Sequence, residues 1–80
     1  MSLSEIRAEP FAVDVSFSAD DFIVRLADGR QVSVPLVWFP RLLRATPEQR
    51  GKWRLIGNGI GIHWPLIDED VSVASVLSAE

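Results

Sequence analysis

Phe22-Ile23-Val24-Arg25-Leu26-Ala27-Asp28-Gly29-Arg30-Gln31-Val32-Ser33-Val34 reads as two short strands on either side of an Asp-Gly turn. Phe22, Val24 and Leu26 alternate with Ile23, Arg25 and Ala27, and Val32 and Val34 alternate with Gln31 and Ser33. A period of two sets an apolar row and a more polar row on opposite faces of a pleated strand. Asp28-Gly29 predicts a tight hairpin turn of the primed type, because glycine takes positive φ without a Cβ clash. Upstream, Phe11, Val13, Val15 and Phe17 alternate with Ala12, Asp14 and Ser16, which predicts another strand with those four apolar residues on one face. Ser18-Ala19-Asp20-Asp21 supplies the connecting turn, so the first 35 residues are expected to form a three-stranded antiparallel meander.

Downstream, Pro35 lacks the N–H that a sheet ladder needs and closes the third strand. After Leu36-Val37-Trp38-Phe39, Pro40 suits the first turn of a short helix running through Arg44. Thr46-Pro47-Glu48-Gln49 has the form of a capping box, with the threonine hydroxyl and the glutamine satisfying free N–H groups at the start of a second short helix. Gly51 is placed to end that helix in the left-handed conformation. Trp53-Arg54-Leu55-Ile56 returns to extended structure, and Gly57-Asn58-Gly59 is a tight turn into Ile60-Gly61-Ile62-His63-Trp64, a second hairpin. Asp70 or Ser72 caps a terminal helix in which Val73, Val76 and Leu77 make one apolar stripe. The acidic triplet Asp68-Glu69-Asp70 precedes that helix, where carboxylates complement the positive end of its dipole. The expected architecture is one small α+β domain over residues 1–80: an antiparallel three-stranded meander, short helices, a second hairpin that extends the sheet or forms its own layer, and a C-terminal helix.

Eighty residues with 48% hydrophobic and 24% charged side chains suit one thin core and lack the signature of disorder. With no cysteine, neither a disulfide nor a thiolate metal clip staples it. That shortage points to self-association, with a homodimer burying apolar area, or to a partner chain. The absence of cysteine fits a reducing compartment, and the first residues lack the basic-then-apolar layout of a signal peptide. No apolar run approaches the roughly 20 residues that span a bilayer. The expectation is a cytoplasmic protein without membrane contact. Charge is uneven: Arg41, Arg44, Arg50, Lys52 and Arg54 stand against Glu48 alone, a window of +4, which within a net charge of −3 leaves −7 elsewhere.

Leu26-Ala27-Asp28-Gly29-Arg30, Val34-Pro35-Leu36-Val37-Trp38-Phe39-Pro40-Arg41-Leu42, Ala45-Thr46-Pro47-Glu48-Gln49-Arg50 and Gly61-Ile62-His63-Trp64-Pro65-Leu66-Ile67-Asp68-Glu69-Asp70 together resemble the DUF2442 family of small bacterial and phage proteins. The resemblance spans Leu26 to Leu77. It implies a small α+β domain, no established activity, and frequent company with a second small protein in arrangements that look like toxin and antitoxin pairs. Some members carry an additional helix-turn-helix DNA-binding domain after this one. This sequence ends at Glu80, so the DNA binding of that extra domain is not implied here.

Candidate chemistry is sparse. His63 with Asp68 and Asp70 is the one set with metal-ligand character, but an imidazole and two carboxylates fall short of a named motif, and capping and solubility explain the aspartates. No metal or cofactor is expected. Without cysteine or a G-x-S-x-G elbow, and with one histidine, nucleophilic hydrolysis has no constellation, so no catalytic residue is assigned. Gly57-Asn58-Gly59-Ile60-Gly61 lacks the Gly-Lys-Ser/Thr of a phosphate loop and reads as a hairpin turn. Trp38 and Arg41, three positions apart on a helical turn, have the makings of an interface anchor, and with the stretch from Trp64 to Asp70, of which Trp64, Asp68 and Asp70 are singled out, they outline a partner-binding rim. The function so read is a non-enzymatic interaction module, the antitoxin-like partner in a two-protein system. The alternative is an accessory nucleic-acid binder or regulatory domain in which Arg41, Arg44, Arg50, Lys52 and Arg54 neutralise phosphates. A pI near 5.0 and the scatter of those five cations argue against it unless a further domain contributes.

Overall fold

A computed structural model describes residues 11–78 of the chain. The meander forms as its alternation predicts: β1 (Ala12–Phe17), β2 (Asp21–Leu26) and β3 (Gln31–Pro35) lie side by side in that order, all antiparallel. Phe22, Val24 and Leu26 of β2 and Val32 and Val34 of β3 are buried on one face. The Asp-Gly turn differs in kind from the primed two-residue form. Leu26 and Arg30 close a three-residue loop, with Leu26 N–H donating to the Arg30 carbonyl at 2.8 Å and Gly29 N–H to the Leu26 carbonyl at 3.0 Å. Only Gly29 has positive φ, at 96°, the pattern of an ordinary turn followed by one left-handed residue. Asp28 completes the loop by accepting from the Arg30 N–H at 3.0 Å, and this bond above all holds its exposed carboxyl below the usual carboxylate range.

β1 corrects a second expectation. Its register slips between Ala12 and Asp14, which pair with Leu26 and Arg25, leaving Val13 as the extra residue of a bulge. Alternation is reset there, so Ala12 is buried while Val13 stands 46% exposed.

Between the sheets run three single turns. Leu36–Trp38 is a 3-10 turn, α1 spans Pro40–Leu43 and α2 spans Pro47–Gly51. The capping box is present as predicted: Thr46 Oγ1 accepts from Gln49 N–H at 3.1 Å, and Gln49 Oε1 accepts from Thr46 N–H at 2.9 Å. Gly51 ends α2 without entering the left-handed region, because the Lys52 N–H folds back onto the Gln49 carbonyl at 3.3 Å and closes the turn instead.

The second hairpin belongs to a separate three-stranded antiparallel sheet of β4 (Arg54–Ile56), β5 (Gly61–Trp64) and β6 (Glu69–Ser72). Gly57, Asn58 and Gly59, at φ 56°, 62° and 109°, make the β4–β5 turn. β6 is the element the sequence reading missed. The acidic residues do not lead into a helix: Asp68 sits in a turn at φ 53°, while Glu69 and Asp70 pair with Trp64 and His63. Strand pairing with β5 overrides their low strand propensity. Of the two cap candidates, Ser72 serves, accepting from Ser75 N–H at 3.3 Å ahead of α3 (Val73–Ser78). The predicted stripe of α3 holds, with Val73 and Val76 buried and Leu77 half-buried.

Both sheets feed one apolar core. Trp64 of β5 meets Phe17 and Phe22 of the first sheet edge-on, at ring centroid distances of 6.3 and 5.9 Å, and Phe39 packs on Phe22 at 5.7 Å. Gly59 brings the β4–β5 turn against β1, where an added Cβ would lie 2.5 Å from the Ala12 carbonyl oxygen. Gly29→Ala is expected to cost only the backbone strain of a positive φ, about 1–2 kcal/mol, since its Cβ position is open. Gly59→Ala adds the main-chain clash and is expected to cost at least about 2 kcal/mol more. Urea midpoints at constant slope measure both. Equal shifts would mean that the turn has room to move off β1.

Candidate functional site

Of the five cations in the basic segment, Arg50 is committed to the fold. Its Nε donates to the Leu42 carbonyl and its Nη2 to the Leu43 carbonyl, each at 3.0 Å, satisfying the open end of α1. Its guanidinium carbon stands 5.4 Å from the centre of the Phe17 ring. Its own carbonyl accepts from Trp64 Nε1 at 3.0 Å. Arg50 is therefore withdrawn from any phosphate-binding set. Arg44, Lys52 and Arg54 are exposed.

Arg41 has a different task. Its Nη1 donates to the Asp68 carbonyl at 2.6 Å and lies 3.9 Å from Glu69 Oε1, tying α1 to the β5–β6 turn. The left-handed conformation of Asp68 accompanies that aim of its carbonyl. On either side of this contact the chain leaves apolar side chains in solvent. In a 3-10 turn residues three apart eclipse one another, so Leu36 and Phe39 face the core together while the two residues between them turn out. Val37 is 67% and Trp38 50% exposed, and Leu66 on the β5–β6 turn is 54% exposed. Trp38 is accessible, but the helical turn that its spacing to Arg41 suggested is broken at Phe39, which at φ −131° and ψ 84° separates the 3-10 turn from α1.

Trp64 is not part of that rim. It is 0% exposed, because alternation along β5 sends Ile62 and Trp64 into the core and Gly61 and His63 to the other face. Asp70, directly opposite His63 on β6, accepts a hydrogen bond from His63 Nδ1 on that outer face. Asp68 remains on the rim through its main chain and its exposed side chain. Asp68, His63 and Asp70 do not converge, and among the described residues no group of three such side chains is placed to hold a metal. No pocket opens among the described residues either. No described helix is long and apolar enough to cross a membrane. The residue that sequence reasoning missed is Val37, whose exposure depends on the 3-10 turn, whereas the exposed Leu66 and Glu69, which lies 3.9 Å from Arg41, fall inside the Trp64 to Asp70 stretch that it named.

Residues 12–80 match the family described as a protein of unknown function, DUF2442, and the chain belongs to that family. The chain is similar to a protein of unknown function from Rhodospirillum rubrum seen in a crystal structure, with 26% identity and a TM-score of 0.76 over 90% of this chain and 89% of that one. It shares its fold with an uncharacterized protein from Chromobacterium violaceum solved by NMR, at 22% identity and a TM-score of 0.75 over 94% and 71% of the two chains. No curated protein matches it.

Arg50→Ala is expected to destabilise the domain by about 2–3 kcal/mol, because two helix-end carbonyls lose a charged donor. Arg44→Ala should stay within about 0.5 kcal/mol. Arg50→Lys should recover less than half of the loss, since an ammonium cannot fork to both carbonyls. Denaturant titration separates the three. An Arg50→Ala variant as stable as Arg44→Ala would remove the clasp from this account.

Proposed function

We propose that this DUF2442 protein is a non-enzymatic interaction module that docks another small protein through the rim of Val37, Trp38, Arg41, Leu66 and Asp68. Trp38 carries the reading. A tryptophan half exposed on a turn held by the burial of Leu36 and Phe39, with an arginine oriented by the Asp68 carbonyl three positions on, offers a preordered aromatic anchor. Such an anchor binds with little further loss of side-chain freedom. The company that the family keeps makes the partner the other half of a bacterial two-protein system, with this chain as the antitoxin-like, cytoplasmic member. Asp70, paired with His63 on the outer face of the second sheet, lies apart from the anchor and contributes less.

The nucleic-acid reading retains Arg41, Arg44, Lys52 and Arg54 but loses Arg50 to the helix clasp, and Arg41 is engaged at the rim. Salt separates the two readings, since phosphate binding weakens steeply as salt rises and an apolar protein contact does not.

Co-expression with the product of the neighbouring reading frame is expected to yield a complex. Trp38→Ala should weaken it about 30-fold or more, the equivalent of a 2 kcal/mol hot spot, while leaving the melting temperature near that of the parent. Arg41→Ala should weaken it less. An undiminished complex with folded Trp38→Ala would overturn the reading, as would assembly of the chain only with itself.

A further inference from the structure

Each sheet has two edges, and the fold treats them unequally. β1 is met by the β4–β5 turn at Gly59, β3 is in contact with α3, and β6 carries the buried Val71 and runs directly into α3. β4 is different. It pairs with β5 alone, and Arg54, Leu55 and Ile56 are all exposed. Among the described residues no main-chain group of these three bonds to anything beyond that ladder. Alternate N–H and C=O groups of such an edge point outward, open to another strand. Edges are commonly blunted by proline, a bulge or clustered charge. β4 has one arginine, and its other two residues are apolar: Leu55 is 37% and Ile56 40% exposed, with Ile60 beyond the turn 57% exposed.

The charges around this edge indicate what covers it. Lys52 and Arg54 are exposed, and neither makes an ion pair among the described residues. Strand register sets Arg54 beside His63 and His63 beside Asp70, so the one carboxylate in that row is taken up by the histidine before it reaches the arginine. A second copy of the chain is a poor match. Antiparallel pairing of β4 with itself about Leu55 would put the two Arg54 residues diagonal to each other, roughly 7–8 Å apart, where like charges repel. A strand bearing carboxylates offsets the charge while its main chain completes the ladder. We propose that β4 is a strand-addition site for an extended segment of another protein in which acidic and apolar residues alternate. The site shares no residue with the Trp38 rim and does not depend on that surface's function.

The test uses the full chain, isotope-labelled for amide spectra, and two synthetic heptapeptides of alternating valine with glutamate or with lysine. The glutamate peptide is expected to bind saturably, with shifts centred on Lys52 to Ile56, and at least tenfold more tightly than the lysine peptide. Arg54→Glu, an exposed change, should reverse that preference. N-methylation of alternate amides in the glutamate peptide should abolish binding, because it blocks the main-chain ladder but leaves the charges. Absence of binding, equal binding of the two peptides, indifference to N-methylation, or shifts located elsewhere would each overturn the proposal. So would a short oligothymidine that displaces the glutamate peptide from the same amides, or a dimer whose β4 amides are protected from exchange without any peptide.

Discussion

The indole N–H of Trp64 is the group on which the rest of the structure depends. A tryptophan buried this completely brings the largest apolar side chain into a thin core, and its one donor must find an acceptor there. The acceptor is the carbonyl of Arg50, fourteen positions earlier. That carbonyl is in place because the Thr46 and Gln49 capping box starts α2, and the same residue's guanidinium closes α1 and lies against Phe17. One bond thus links the second sheet to both short helices and, through the Phe17 ring, to the first sheet. α1 in turn carries Arg41, and the 3-10 turn ahead of it carries Trp38. The stretch that carries Trp38 and Arg41 is held by this chain of contacts together with the Arg41 bond to the Asp68 carbonyl and the burial of Leu36 and Phe39.

The two sheets divide the work unequally. Among the described residues, the first supplies seven of the fourteen buried in the core, and the large apolar side chain it leaves exposed is Val13 at the bulge. The second gives only Ile62, Trp64 and Val71 to the core, yet its turns and edge hold Leu66, Ile60, Leu55 and Ile56 in solvent. Exposed apolar side chains grouped on short, main-chain-fixed segments mark contact surfaces more than catalytic ones.

Much of this was legible in the sequence because it is local. The β2–β3 alternation, the capping box and the α3 stripe each need only neighbours within a few positions, and each is found where its spacing put it. Three features were not legible, and the reason in each case is a distant contact. Val13 faces solvent because a bulge opposite Leu26 and Arg25 resets the alternation, which no property of Val13 announces. Asp68-Glu69-Asp70 reads as a helix approach until β5 is known to offer His63 and Trp64 as strand partners. Arg50 looks like any surface cation in a basic run, and only the fold reveals two carbonyls and a ring within its reach. Of the predicted rim, Trp38, Arg41 and Asp68 are brought together or left accessible, whereas Trp64 was misplaced because a single residue's strand face depends on register.

Both sheets are made from hairpins between segments adjacent in sequence, while the bridge from Leu36 to Lys52 contains only one-turn helices, too short to persist alone. The bridge is therefore shaped by the sheets it joins: Leu36 and Leu42 are held in the shared core, and the Arg50 carbonyl is held by the Trp64 indole. Trp38 and Arg41 stand on that bridge, so their placement depends on both sheets at once.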